Sequence, residues 1–138
     1  MTLINAKPEI QQFLDEWQED VNGCRQAFLE LSSHLEKYDN IKIDFVPRPA
    51  VTYSLRVARP EQKKRQLFAL IDIIDEAPRW LSVCFYEDLV TDPEEFGDTV
   101  PEGILGEDGY CFDVESNDSE FIEYLCRRID EAYTKAAG

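Results

Sequence analysis

Apolar residues in the first third of the chain recur at alternating spacings of four and three. This stripe runs from Ile10 to Leu35 without a break. A period of 3.5 residues keeps these side chains on one face of a helix, so the pattern predicts one long helix over residues 8–37. Pro8 suits the first turn of such a helix, and Gly23 inside it costs about 1 kcal/mol relative to alanine.

Two partners could cover this apolar stripe: a second helix in a coiled-coil dimer, or a sheet of the same chain. Trp17, Cys24 and Phe28 are poorly shaped knobs for a coiled coil. The positions beside the stripe also lack the paired charges that select a partner helix. The pattern therefore favours packing within the chain, and an antiparallel helix contact in a homodimer stays open.

The middle of the chain changes to a period of two, which is typical of β-strands. Apolar and polar residues alternate from Val51 to Val57, while residues 67–74 are nearly all apolar, as expected of a central strand covered on both faces. Further strands are predicted at residues 41–45, 80–86 and 110–114. The connections are too short for crossover helices, so we expect antiparallel pairing.

The last third is predicted to hold a long acidic loop followed by a helix. Residues 87–109 are rich in glycine and acidic residues and form the predicted loop, in which Asp92 caps one helical turn. Asn117 to Glu120 fits a capping box, and the apolar residues after it recur at helical spacing as far as Ala136. This amphipathic helix must bury its apolar face against the sheet.

These elements predict a single α+β domain over residues 1–138. Its expected core is an antiparallel sheet of four or five strands, with the long N-terminal helix and the C-terminal helix packed on it. The element order is α-β-β-β-β-β-α.

The charge of the chain limits its partners. Asp and Glu number 29 against 14 Lys and Arg, for a formal net charge of −15. Nucleic acids and anionic membranes attract basic surfaces, so neither is an expected partner. No apolar run approaches the roughly 20 residues that a membrane span requires. We expect the partner to be another protein or a second copy of the chain; mimicry of nucleic acid by the acidic surface is a further alternative.

The cysteines indicate the compartment. The four cysteines contain no C-x-x-C pair, and His34 is the one histidine, so the spacing does not resemble a zinc site. No signal-peptide pattern opens the chain. We therefore expect reduced, buried thiols in a cytoplasmic protein. A disulfide between Cys84 and Cys111 is the alternative if their strands are neighbours.

The C-terminal part carries a family resemblance. The strand Tyr110-Cys111-Phe112-Asp113-Val114 and the later segment RRIDEAY, ending at Tyr133, resemble small bacterial domains of the MmcQ/YjbR kind. The resemblance covers at most the last 80 residues. It implies a strand, a turn and a closing amphipathic helix, together with a nucleic-acid role that the net charge opposes. It implies no catalytic residues.

Positive charge is concentrated where the chain is predicted to turn. If residues 51–57 and 67–74 form a hairpin, residues 58–66 form its tip, and most of the local bases crowd there. Such bases could keep the tip soluble or pair with the acidic loop of the same chain. They could also grip a carboxylate or a phosphate, because the planar guanidinium of arginine fits both groups. The candidate binding residues are Arg48, Tyr53, Arg56, Arg59, Lys63, Lys64 and Arg65.

The sequence contains no pattern that identifies catalysis, a metal site or a cofactor. The serines lack a nucleophile elbow, and no glycine-rich phosphate loop occurs. We therefore expect a small acidic protein that acts as a non-catalytic protein-interaction or binding module. The alternative is a protein or enzyme that binds a small anionic ligand in a pocket under loop 87–109, with Arg56 and Tyr53 as polar anchors.

Overall fold

A computed structural model describes residues 8–18, 20–39 and 41–137. Two helices precede a six-stranded sheet and a third helix follows it, so the class is α+β, as predicted. The helices are α1 (Pro8–Glu16), α2 (Cys24–Leu35) and α3 (Ser119–Lys135). The strands are β1 (Lys42–Arg48), β2 (Thr52–Ala58), β3 (Ala69–Ile74), β4 (Trp80–Tyr86), β5 (Asp98–Ile104) and β6 (Glu107–Val114). A short 3₁₀ turn, Glu87–Leu89, follows β4.

All neighbouring strands run antiparallel, which confirms the predicted pairing. The strands lie in the order β1-β2-β3-β4-β6-β5, so β1 and β5 form the two edges of the sheet. The predicted hairpin is present, since Thr52 faces Ile74 and Val57 faces Ala69 across β2 and β3.

The helices cover one face of this sheet. Side chains alternate between the two faces of a strand, and Leu55, Val57, Ile71, Ile73 and Val83 on the helix side are almost completely buried. The helices contact the sheet on this side: the tilted ring of Phe13 of α1 packs against Tyr53, Cys24 of α2 donates to the carbonyl of Val114, and Tyr124 of α3 contacts Phe112. The sheet and the helices therefore share one apolar core.

The opposite face of the sheet carries no helix in the described part of the chain, and we call it the uncovered face. By the strand registers it includes the alternate residues Lys42, Asp44, Val46, Arg48, Thr52, Ser54, Arg56, Ala58, Leu70, Asp72, Ile74, Trp80, Ser82, Cys84, Tyr86, Asp98, Val100, Gly109, Cys111 and Asp113. Its outer positions are exposed, whereas central positions such as Leu70 and Cys84 are sheltered.

The prediction of one long N-terminal helix is wrong. The helix ends at Glu16 and a second begins at Cys24. Gly23 between them has φ 85°, a left-handed conformation that interrupts the helix. Asn22 fixes the break, because its side chain donates to the carbonyl of Arg79 and its own carbonyl accepts from the amide of Asn117. Both helices face the core, which explains why the apolar spacing continues across the break.

The predicted loop 87–109 is also wrong, because it contains strand β5 and the start of β6. The sheet therefore has six strands rather than four or five. Strand β5 is an edge strand whose side chains are mostly exposed, and its register with β6 shifts between Val100 and Ile104. Instead of the predicted helical turn, Asp92 forms a β-turn in which the amide of Glu95 donates to the Asp92 carbonyl.

The C-terminal helix is confirmed, with a cap shifted by one residue. The carboxylate of Asp118, not the side chain of Asn117, accepts hydrogen bonds from the amides of Glu120 and Phe121. The predicted apolar face of α3 is buried on the core through Ile122, Leu125, Ile129 and Ala132.

A disulfide joins Cys84 to Cys111, so the expectation of reduced thiols is wrong for this pair. The two residues lie directly opposite each other on β4 and β6, with their Cα atoms 4.1 Å apart. Cys24 and Cys126 are free. Disulfides persist in oxidising compartments, so this bond fits a non-cytoplasmic location better than the predicted cytoplasmic one. The location itself stays a prediction. No helix of the described chain is both long and apolar enough to span a membrane.

Candidate binding site

The bases of the β2–β3 connection mostly bind acidic groups of the same chain. Arg65 donates to Glu107 at 2.6 Å and to Asp88 at 3.1 Å, and the ammonium of Lys64 lies 3.6 Å from Asp88. These acidic partners belong to the segment that was predicted as an acidic loop. The geometry thus matches the alternative in which the tip pairs with its own chain.

Unlike Lys64 and Arg65, the bases Arg59 and Lys63 do not bind Asp88 or Glu107. The guanidinium of Arg59 lies 4.0 Å from the centre of the Tyr133 ring, donates to the Tyr133 carbonyl and pairs with Glu61. Arg59 therefore fastens the connection to α3. Lys63 is exposed, and within the described ranges it makes no hydrogen bond or ion pair.

Tyr53 lies on the helix side of the sheet. Its ring centre is 4.2 Å from that of Phe13, and the guanidinium of Arg79 lies over the same ring. Arg56 lies on the uncovered face, because the strand positions of the two residues differ by an odd number. The sheet therefore separates the two anchors proposed for a small-ligand pocket.

Arg56 and Arg48 occupy one side of the uncovered face. Arg56 sits on β2 between Asp44 of β1 and Leu70 of β3. Arg48, at the end of β1, donates a long hydrogen bond of 3.4 Å to Thr52. Burial raises the pKa of Asp72, and the charges of both guanidinium groups offset part of that rise, so the three residues lie in one electrostatic cluster.

Arg56 has no partner for its donors among the residues that the structure describes. Its Nε atom is buried without a hydrogen bond, and the side chain forms no ion pair. A guanidinium offers five N–H donors, and leaving a buried one unpaired is costly. This half-buried, unpartnered cation is the feature of the face that most clearly calls for an anion.

Asp72 lies beside Arg56 and is held by Ser54. The hydroxyl of Ser54, which is buried, donates to Asp72 at 2.5 Å. Burial raises the pKa of Asp72, and the hydrogen bond from Ser54 and the charges of Arg56 and Arg48 offset part of that rise. Asp72 is thus committed to Ser54 and does not satisfy the donors of Arg56.

The other side of the uncovered face is acidic. Asp98 lies opposite Cys111, and Asp113 is two residues further along β6, so both carboxylates are on this face. Burial, followed by the negative charges of Glu115 and Asp98, raises the pKa of Asp113. The face therefore carries three cations and Asp44 on β1 and β2, and the carboxylates of Asp98 and Asp113 on β5 and β6.

A groove of about 610 Å³ lies elsewhere, between α2 and α3. Inside it the carboxylate of Asp130 accepts hydrogen bonds from Lys37 at 2.8 Å, from His34 at 2.9 Å and from Tyr38. Burial alone would raise the pKa of Asp130, but these hydrogen bonds outweigh it and lower the pKa. Sequence analysis missed this network, although His34 and Asp130 lie on two helices predicted to cover the same sheet.

The thiol in this groove is not an activated nucleophile. Burial, with a contribution from the charge of Asp130, raises the pKa of Cys126 to about 11, so the thiol is protonated at neutral pH. Within the described ranges, no three His, Cys, Asp or Glu side chains are grouped so that they could hold a metal ion.

The chain matches no protein-family model, and no curated protein or solved structure is detectably similar to it. The resemblance of its C-terminal part to MmcQ/YjbR-like domains stays a prediction.

Proposed function

We propose that this protein is a non-catalytic binding module, and that Arg56 and Arg48 on the uncovered face hold a carboxylate of an acidic protein partner. The observation that carries the proposal is the half-buried guanidinium of Arg56, which has no partner in the described chain. A carboxylate accepts two parallel N–H bonds from a guanidinium, and such charge-assisted pairs are among the stronger hydrogen bonds in proteins.

The shape of the face supports a protein partner over a small ligand. Four surface depressions are lined by residues of the helices, of the β3–β4 turn and of the segments beside them, and none of the four includes Arg48 or Arg56. Small ligands usually occupy concave sites that enclose most of their surface. A sheet face with charged residues around sheltered central positions suits a broad protein contact instead.

A peptide titration tests the proposal. A short glutamate-rich peptide is added to the ¹⁵N-labelled protein at physiological salt, and amide shift changes are expected on β1 to β3. In R56Q the Kd should rise at least about tenfold, because one charge-assisted hydrogen bond is worth about 1.5–3 kcal/mol. The matched control is K63Q, which removes an exposed, unpaired cation outside the face.

The controls separate a site from general charge attraction. Citrate in place of the peptide distinguishes a small anion from a protein segment. Equal weakening in R56Q and K63Q would mean that the peptide senses only net charge, and the proposal would fail. Unchanged affinity in R56Q would exclude Arg56 as the anchor.

A further inference from the structure

We infer that the Cys84–Cys111 disulfide is a reversible redox site, which an external thiol opens by attacking Sγ of Cys111. The external thiolate forms a mixed disulfide with Cys111 while the bond to Cys84 breaks, and Cys84 leaves with the electron pair and takes up a proton. A second external thiolate attacks the external sulfur of the mixed disulfide. Both cysteines end as thiols, and the two external thiols are oxidised to one disulfide. This inference does not depend on the arginine site proposed above.

The two cysteines differ in their access to solvent. Cys84 is 4% exposed, whereas Cys111 is only partly buried. Both lie on the uncovered face of the sheet. Thiolate attack on a disulfide requires access to the sulfur that is attacked. Cys111 is therefore the sulfur that an external thiol reaches, and Cys84 is the leaving group.

The strand order fixes the direction of the attack. The attacking, attacked and leaving sulfur atoms lie in line during thiol–disulfide exchange, and Cys84 is on β4, at one side of β6. The external thiol then comes from the other side, where Asp98 of β5 lies opposite Cys111. The hydroxyl of Ser82 lies 3.4 Å from Sγ of Cys84. Because a thiolate only accepts hydrogen bonds, this hydroxyl donates to Cys84 once it has left.

The sheet keeps the two thiols together after the bond has opened. Cys84 and Cys111 are the fourth of six paired positions between β4 and β6, and their Cα atoms lie 4.1 Å apart. Their neighbours Val83 and Phe112 are completely buried in the core on the helix side. Hydrogen bonds and packing thus join the two strands without the disulfide, and the thiols stay placed to close the bond again.

The acidic residues around Cys111 select the charge of the external thiol. Asp98 lies directly opposite Cys111, Asp113 is two residues further along the same strand, and both carboxylates are exposed. A negatively charged thiol is repelled at this point, and a positively charged one is attracted. We therefore expect the reductant to carry its thiol on a cationic group.

Reduction of the folded full chain tests the site. Cysteamine, a cationic thiol, is added without denaturant, and alkylation followed by mass mapping reports the state of each cysteine. We expect Cys84 and Cys111 to be reduced together, and addition of cystamine to restore their disulfide. Low concentrations of urea should change the rate less than about twofold, because the thiol attacks the native protein. A rate that rises steeply with urea would place the attack on the unfolded chain, and the inference would fail.

The variants C84A and C111A test which sulfur is attacked. Both lack the disulfide, so the loss of the crosslink is common to the two. With cystamine, C84A should form a mixed disulfide at Cys111 at least about tenfold faster than C111A does at Cys84, because buried thiols are inert to exchange. Equal rates, or a faster reaction of C111A, would contradict attack at Cys111.

A pair of thiols of opposite charge tests the role of the carboxylates. The reduction rate with cysteamine is divided by the rate with anionic mercaptoacetate, for the wild type and for D98N/D113N. At low salt this ratio should fall at least about threefold in the variant, because only the charge of the protein has changed. D39N removes an exposed charge outside the uncovered face and should keep the ratio within about twofold of the wild type. An unchanged ratio in D98N/D113N would overturn the choice of a cationic thiol.

The outcomes also separate the redox site from the proposed function. A disulfide that opens only in urea, or never forms with cystamine, would overturn the redox site. A loss of peptide affinity in R56Q would then still support the arginine site. Reversible reduction of the native protein together with unchanged peptide affinity in R56Q would establish the redox site and overturn the proposed function.

Discussion

Asp130 joins α2 to α3 by accepting hydrogen bonds from Lys37, His34 and Tyr38. D130N should lower the free energy of unfolding at pH 7 by about 1 kcal/mol, a small value for three donors because the Asp130 side chain is 39% exposed. Urea unfolding measures this difference. D39N, at an exposed acid without a described partner, should change stability by less than about 0.5 kcal/mol.

The pH dependence of the stability difference between wild type and D130N tests whether the hydrogen bonds of the ionised Asp130 cause it. The hydrogen bonds hold the pKa of Asp130 below its ordinary value. Its stabilisation is therefore present above the unfolded pKa near 3.9 and is lost as pH falls through the folded pKa. The gap between wild type and D130N should narrow below about pH 4. A gap that stayed constant to lower pH would mean that the loss is one of packing.

The residues of the candidate site could be predicted only in part. Strand alternation places Arg56 on a face, and its chemistry suggests an anion partner. The sequence does not reveal that Lys64 and Arg65 pair with Asp88 and Glu107, because those contacts depend on where the turn after β4 and the start of β6 lie in the folded sheet. A pocket anchored by both Tyr53 and Arg56 needs the two side chains on one face, but odd spacing in a strand puts them on opposite faces.

Gly23 allows the break between α1 and α2. Its φ of 85° is strained for any other residue, and an added Cβ would lie 2.7 Å from the Cβ of Asn117. G23A should therefore lower the free energy of unfolding by about 2 kcal/mol or more. Gly106 has a similar φ of 82°, with no atom within 4 Å of an added Cβ. G106A should cost only about 1 kcal/mol, the backbone part alone.

Thermal or urea unfolding of the two variants separates strain from collision. Equal losses of unfolding free energy in G23A and G106A would show that the close contact with Asn117 adds nothing to the cost of G23A. An unchanged G23A would mean that the chain tolerates a continuous helix across this position, as the apolar period alone suggests.

The elements that sequence analysis identified are those with strong periodicity. The strands β2, β3 and β4 and helix α3 bury one or two faces, so their apolar patterns are visible. Strand β5 was missed because Pro101, Gly103 and its exposed polar residues leave no alternation of apolar and polar positions. It is stabilised as a strand by its pairing with β6. The break at Gly23 was missed because an apolar stripe reports which face is buried and not whether the backbone is continuous.

The disulfide links strands in the middle of the whole sheet. Cys84 and Cys111 are 27 residues apart, and β5 and the Asp92 turn lie between them in the chain. Closing a loop of that length restricts the unfolded chain, and the entropic model gives a contribution of about 3.5 kcal/mol. C84A/C111A should therefore unfold at a lower urea concentration than the oxidised wild type, by about that free energy.

A reductant distinguishes this bond from the packing of the two side chains. Dithiothreitol should lower the stability of the wild type toward that of C84A/C111A and leave the variant unchanged, because the thiols of Cys24 and Cys126 are already free. Repeating the measurement at two protein concentrations removes any contribution from association, since a dimer would make the midpoint concentration-dependent. If the reductant shifted both proteins equally, the stabilisation could not come from a bond between β4 and β6. If the reductant changed the stability of neither protein, the disulfide would be absent in solution. The argument for an oxidising compartment would then fail.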